Sequence, residues 1–400
     1  MNTTAREKFP VNILLPYLGF YAAQAIFGTY LNLYLQDAGY NQTQMGTFTS
    51  ASTILVLLAQ PFWGNVSDRA KSKNKVIVVM LLIGMISILG FYCSLNYWWL
   101  LVINCLFCLV YHPIPPLIDN LSLENLEKRG GRFNFGHIRV GGTIGYAIGV
   151  LVSGQIMEDR YERMFVMISI LFLLSILAMQ LVPDVQGYRR KKEKTSWRGL
   201  ISSKKIFCFI FMNFVFSLGT TVYYSYYPLY FTSIGGDSGS VGILMFATAA
   251  SEIPFWLIAG RLTERFGYKR MIMISAAVTG VRWILLSMVR EPAAAVCINL
   301  THGFCFVTLN FCIVTFINQN VPKELRATGQ SLNNMISTIL SRGIGGVVIG
   351  HLSDLFGVPA MLQFVGAAAF AAVGIFVISY NMIQQKELSR QKEYPAADFH

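Results

Sequence analysis

Six ionisable side chains stand inside long apolar runs: Asp119, Arg139, Glu252, Arg282, His302 and Arg342. A charge at the centre of a bilayer costs ~2.5–3.5 kcal/mol on insertion scales, so such groups face a cavity or one another and usually serve function. Their types suggest two chemistries. Asp119 with Arg139 suits a substrate's hydroxyls or carboxylate, because the arginine fork makes bidentate contacts. Glu252, Arg282 and His302 suit proton carriage. A carboxyl in a dry cavity holds its proton more tightly, a nearby arginine loosens it, and motion that separates the two moves the proton. Arg342 has no evident acid partner and is a candidate for meeting an anionic substrate. Static interhelical ion pairs, or for Arg342 bonding to backbone carbonyls or water, are the structural alternatives. Tyr30 and Tyr34, and again Tyr226 and Tyr230, lie at i, i+4 on one helical face each. In a cavity Tyr30, Tyr226 and Tyr230 would stack on a substrate; otherwise they belong to helix packing or an interfacial belt.

These residues must be positioned by membrane helices. Of the 400 residues, 54% are hydrophobic and 13% charged, about half the roughly 25% charged of a soluble domain. Apolar runs of about 20 residues, the length that crosses a bilayer, recur near 11–35, 43–64, 76–95, 97–121, 133–157, 163–182, 205–232, 240–262, 271–289, 293–319, 328–351 and 359–381. Backbone amides in lipid must bond within their own segment, so these runs are expected to be helices. The expected fold is all-α and polytopic, with twelve transmembrane helices. The first ten residues are polar and the first run is too long for a cleavable signal, so it is expected to be retained. Pro113, Pro115 and Pro116 should bend the fourth helix. Gly141, Gly142, Gly145 and Gly149 should let the fifth pack closely.

Charge sets the orientation. With both termini in the cytoplasm, inside segments hold 26 of the 32 Lys and Arg residues, as the positive-inside rule requires. The net charge of +12 is therefore no nucleic-acid footprint. The seven cysteines are odd in number and nearly all intramembrane, which implies no disulfide framework.

Shifted by 196 residues, the chain partly matches itself. Tyr30 falls on Tyr226, Gly46 on Gly242, Gly64 on Gly260, Arg69 on Arg265 and Gly154 on Gly350, while Asp68 meets Glu264. Two parallel six-helix halves are a transporter architecture, with the site between them near the midplane. The expected domains are an N-terminal bundle at 1–182, a cationic cytoplasmic linker at 183–204 and a C-terminal bundle at 205–400. The stretches Gly64–Lys75 (GNVSDRAKSKNK) and Gly260–Arg270 (GRLTERFGYKR) repeat one pattern: a glycine at a helix end, an acid four residues on, then arginine. Gly64, Asp68 and Arg69, with Gly260, Glu264 and Arg265, could latch one conformational state, the acid pairing with arginine or a helix N-terminus.

This doubled motif resembles the signature of the major facilitator superfamily, although Ala70 and Lys71 depart from it in the first copy. Within that superfamily the chain is similar over essentially its whole length, but weakly, to the lactose permease and the nucleoside and phenylpropionate proton symporters. Leu58–Asp68 (LAQPFWGNVSD) is similar to the end of their second helix, and Phe135–Gly149 (FGHIRVGGTIGYAIG) to the start of their fifth. The resemblance puts Arg139 on a sugar-binding arginine. Val281–Trp283 and Thr301–Cys305 put Arg282 and His302 in the coupling network. Cys305 stands where the permease has its proton-carrying carboxylate, Ala249 where it has an eighth-helix Glu, and Asp119 matches its fourth-helix Glu only across a gap. Helix 7 lacks the permease's Asp residues and carries Tyr223, Tyr224, Tyr226, Tyr227 and Tyr230 instead.

No nucleotide, metal or hydrolase motif occurs, so neither an enzyme nor a cofactor is expected, and a proton gradient should supply the energy. The expected function is proton-coupled uptake of a small polar or amphiphilic solute such as a sugar, nucleoside or aromatic acid. The rival is a drug/proton antiporter of the same fold; a membrane sensor is more remote. The expected setting is a functional monomer in the cell membrane, in contact with lipid and without nucleic acid.

Overall fold

The computed structural model describes residues 10–129, 135–186, 204–321 and 326–393, and every regular element among them is helical. In chain order these are α1 Val11–Asp37, α2 Gln42–Arg69, α3 Lys73–Leu89, α4 Tyr97–Tyr111, α5 Ile114–Arg129, α6 Phe135–Met157 and α7 Arg163–Met179. There follow α8 Lys204–Ser233, α9 Ser238–Phe266, α10 Tyr268–Met288, α11 Pro292–Asn299, α12 His302–Asn320, α13 Arg326–Asn334, α14 Ser341–Phe356 and α15 Val358–Glu393. Eleven spans are long and apolar enough to cross a membrane, and the 17-residue Arg163–Met179 is a shorter twelfth. Large apolar side chains such as Leu58, Leu257 and Ile344 point outward, as a lipid-facing surface requires. Most of the 183–204 linker lies outside the described residues, as do Arg6, Lys8, Arg132 and Lys323 of the basic segments.

Three spans are interrupted. The fourth breaks at His112–Pro113 between α4 and α5, where proline removes a donor and clashes with the preceding turn. The tenth breaks at Leu300–Thr301, and backbone bonds from Leu300 N to Cys297 O (3.3 Å) and Thr301 N to Ile298 O (3.1 Å) carry the chain across. In the eleventh, a π-helix at Met335–Leu340 joins α13 to α14. Ser337 and Ser341 each donate to the carbonyl four residues back, a bond that competes with the backbone ladder and bends helices.

Local chemistry repeats in the two sets of six spans. Gly39 and Gly235, counterparts under the shift, take φ of +86° and +97° after α1 and α8, a conformation that costs glycine nothing. Asn41 and Asp237, also counterparts, then cap α2 and α9 with full capping boxes. The Ser240 hydroxyl and amide hold the exposed Asp237 carboxyl below the usual carboxylate range.

Within the first six spans α1 packs on α6 and α7, and α3 on α4 and α7; within the last six, α10 and α8 pack on α15. Gly141, Gly145 and Gly149 face α1, where a β-carbon would come within 2.2 Å of Leu14, 2.5 Å of Leu18 and 2.6 Å of Ala22. These glycines set the α1–α6 spacing, while Gly142 faces Arg139 and Tyr21. Across the molecule α2 packs on α14, α6 on α9 and α1 on α8.

Candidate functional site

A cavity of about 570 Å³ lies between the two sets of spans. On α6 it is lined by Arg139, Gly142, Thr143 and Tyr146, one helical face. Glu252 of α9 and Arg342 of α14 face it as well. Much of the wall is neutral and polar, including Asn104, Asn213, Asn310 and Asn333. Asn213 Nδ2 donates to Asn333 Oδ1 at 2.9 Å and Asn104 Nδ2 to Ser52 Oγ at 2.7 Å.

Of the first expected cluster, Arg139 lies on the cavity wall with its guanidinium 4.5 Å from the centre of the Tyr21 ring. Asp119 is set behind the wall. The Tyr17 hydroxyl donates to Asp119 Oδ1 at 2.7 Å, and Tyr17 stacks on Tyr21 at 5.8 Å. No ion pair joins Asp119 to Arg139 among the described residues; the two tyrosines bridge them.

The second cluster assembles around the break in the tenth span. Gly303 donates its N–H to Ser251 Oγ at 2.9 Å, and a β-carbon there would strike the Ser251 carbonyl at 1.9 Å. That close approach of α12 to α9 brings His302 beside the next residue, Glu252. His302 Nε2 lies 3.5 Å from Glu252 Oε1 and 3.1 Å from the Tyr224 hydroxyl, which itself lines the cavity. His302 Nδ1 has no hydrogen-bond partner among the described residues. Imidazole and carboxyl are close enough to share one proton, with Glu252 and Tyr224 both on the cavity wall.

Arg282 stands one step away. Its Nη2 donates to Asn299 Oδ1, its guanidinium lies 4.4 Å from the centre of the Tyr223 ring, and the Tyr223 hydroxyl donates to the same oxygen at 2.8 Å. It touches Glu252 through no ion pair among the described residues. Asn299, Tyr17 and the particular place of Tyr224 went unread in the sequence. An amide in an apolar run carries no charge to flag it, and Tyr224 was one of five tyrosines on its helix.

The expected substrate-facing tyrosines sit elsewhere. Tyr30 donates to Val150 O (3.5 Å) and Ser238 O (3.2 Å); Tyr226 donates to Gly346 O (3.1 Å) and Gln42 O (3.4 Å). Val150 and Gly346, and Gln42 and Ser238, are themselves counterparts under the 196-residue shift, so the two seams are copies. Tyr30 and Tyr226 each reach one carbonyl of the opposite set of spans, whereas Tyr34 bonds Phe91 O of its own set, and none of the three lines the cavity. Tyr230 donates to Val289 O at 2.6 Å, also off the cavity. Gly46 and Gly350 make room in one seam, Gly154 and Gly242 in the other.

An acid completes each seam. Asp354 accepts from the N–H groups of Gln42 and Thr43, both at 2.8 Å, and Asp159 from that of Ser238 at 2.8 Å. Each carboxylate sits at the positive end of a helix of the opposite set. Glu158 and Asp159 take φ of +48° and +58°, a strain of roughly 1–2 kcal/mol per residue. These contacts close the end of the molecule remote from the chain termini.

At the other end the repeated motif stands apart. Asp68, Arg69, Glu264 and Arg265 are exposed and make no ion pair among the described residues. A β-carbon on Gly64 would meet nothing within 4 Å, and one on Gly260 only Phe311 at 3.7 Å. Neither glycine is in close helix contact here.

The model of the MFS_1 like family matches residues 11–364. The chain belongs to this family of the major facilitator superfamily. Maltose permease of Geobacillus stearothermophilus is 25% identical over 383 residues, covering 95% of this chain and 96% of the permease. The uncharacterized transporter YwbF of Bacillus subtilis (strain 168) is 25% identical over 374 residues, 92% of each chain. The crystal structure of nucleoside transporter NupG superposes with a TM-score of 0.80 at 17% identity, covering 93% of this chain and 99% of that one, which shows the shared fold. The protein is thus a multi-pass membrane transporter of the major facilitator fold, and not an enzyme.

Proposed function

We propose that the protein is a proton-coupled symporter that takes up a small polar or amphiphilic solute, a sugar, nucleoside or aromatic acid, by alternating access. The observation that carries the reading is the Glu252–His302 pair, 3.5 Å apart with Glu252 on the cavity wall. Glu252 is the proton carrier, with His302 as its partner, and Arg282, held by Asn299, biases the pair electrostatically. Arg139 and Arg342 hold the solute, Asp119 orienting Arg139 through the Tyr17–Tyr21 stack. The neutral polar wall favours a polar solute over the apolar drugs of the antiporter reading.

The bundles 1–182 and 205–400 rock about the cavity as a functional monomer, joined by the 183–204 linker. With both termini in the cytoplasm, the closed end faces outward and the structure is inward-facing. The Tyr30 and Tyr226 seams hold that state. The two acid–arginine motifs, apart here, close in the opposite one.

Proteoliposomes test the reading. With an acid exterior, radiolabelled maltose, uridine or 3-phenylpropionate should accumulate above equilibrium, and a protonophore should abolish it. Extrusion of a cationic dye against the proton gradient, with no uphill uptake of any of the three, would establish the antiporter instead.

A further inference from the structure

The charged residues of the cavity wall are unbalanced. Arg139 and Arg342 line it, against the single carboxylate of Glu252, and that carboxylate faces His302. Asp119, the other acid, is behind the wall and receives the Tyr17 hydroxyl. Among the described residues the Arg342 guanidinium makes no hydrogen bond and no ion pair; only its backbone carbonyl accepts, from Ser50 Oγ at 3.4 Å. The Arg139 guanidinium lies against the Tyr21 ring and feels the Asp119 carboxylate through space, without an ion pair among the described residues. A guanidinium does not discharge at any physiological pH, and a cation at membrane depth is costly. Two such cations left open to the same space are matched by a ligand that brings negative charge.

The surroundings narrow the ligand. Arg342 lies within electrostatic reach of Tyr111, Tyr146 and Tyr224, all on the cavity wall. Phe27, Phe48, Phe216 and Phe306 supply flat apolar surface in the same space. A ligand that fills it carries an apolar, ring-stacking body and an anionic head. Glu252 facing the same cavity repels a second negative charge.

We propose that the solute is an organic monoanion, a carboxylate on an aromatic body, held by Arg139 of α6 and Arg342 of α14. This rests on the cavity being the transport site. The two arginines come from different sets of six spans, so the anion draws the sets together, and its preference for the state in which both reach it biases alternating access. Uptake of the anion with a proton on the Glu252–His302 pair is then less charged than uptake of the anion alone.

The test uses the full chain in lipid nanodiscs. Binding of aryl monocarboxylates (benzoate, phenylacetate, 3-phenylpropionate) is compared with their amides, and with maltose and uridine, by calorimetry. At least one acid should bind more than tenfold tighter than its amide. Arg342→Gln should weaken the acid roughly 10- to 100-fold, the loss of a charge-assisted bond, and weaken the amide far less. Arg342→Lys keeps the charge without the fork and should lose part of the affinity, so the test stands even where the Gln variant fails to fold. Equal binding of acid and amide, or acid affinity indifferent to both substitutions, overturns the proposal. Maltose or uridine binding while no acid does overturns the anion and leaves the carrier reading intact. Failure of every solute both to bind and to exchange in counterflow overturns the two together.

Discussion

Asn299 holds Arg282 and Tyr223 at one oxygen, and no carboxylate pairs with Arg282 among the described residues. Arg282 is 3% exposed and its Nε has no partner, so removing the amide strands a buried cation. Asn299→Ala should cost about 1.5–3 kcal/mol, the worth of a hydrogen bond to a charged group. It should lower the thermal unfolding midpoint in detergent well below that of Asn310→Ala, whose amide only returns to its own helix at Phe306 O. Equal midpoints would show that Arg282 finds another acceptor. Charged residues were legible from sequence because an ionised group inside an apolar run has few places to be. Glu252 and His302 were read together and do meet. Their neutral organisers, Asn299 and Tyr17, were not legible, because an amide or a phenol in a membrane helix is unremarkable until its partner is known. Asp159, in a turn, and Asp354, an exposed acid near the end of α14, were hidden differently, because the helix N-termini they cap lie on distant spans.

At the scale of elements, the twelve apolar runs and the proline break in the fourth span follow from composition. The break at Leu300–Thr301 and the π-helix at Met335–Leu340 do not, since neither stretch contains proline or glycine. The α1–α6 crossing is the most constrained contact in the first six spans. In Gly145→Val the β-carbon meets the Leu18 backbone at 2.5 Å, which cannot yield as a side chain can. Overpacking of this kind costs ~1–3 kcal/mol and should lower the unfolding midpoint, whereas Gly64→Val, with open space around it, should not. The paired tyrosines make a second prediction. Their repeat was legible, but which way their faces turn was not. Tyr30→Phe with Tyr226→Phe removes four hydrogen bonds, two of which, to Ser238 O and Gln42 O, join the two sets of spans, while keeping the rings. Spin labels at the exposed Gln36 and Ser233 should then report a longer-distance population by double electron–electron resonance. An unchanged distance distribution would mean that the seams do not hold the closed end.

For the whole molecule, orientation comes from charge, and pseudosymmetry from a repeat faint in residue identity yet close in geometry. If both termini are cytoplasmic, a C-terminal green fluorescent protein should fluoresce in cells and an alkaline phosphatase fusion should be inactive. The reverse pattern would make the closed end cytoplasmic. The central claim is that the Glu252–His302 pair couples protons to solute movement through this cavity, and it separates cleanly into two assays. Glu252→Gln keeps shape and hydrogen bonding but cannot ionise. In proteoliposomes loaded with the solute that wild type transports, the variant should retain counterflow exchange, which needs only alternating access. It should lose uphill uptake driven by a pH gradient. Uphill uptake at the wild-type level in Glu252→Gln would contradict the account.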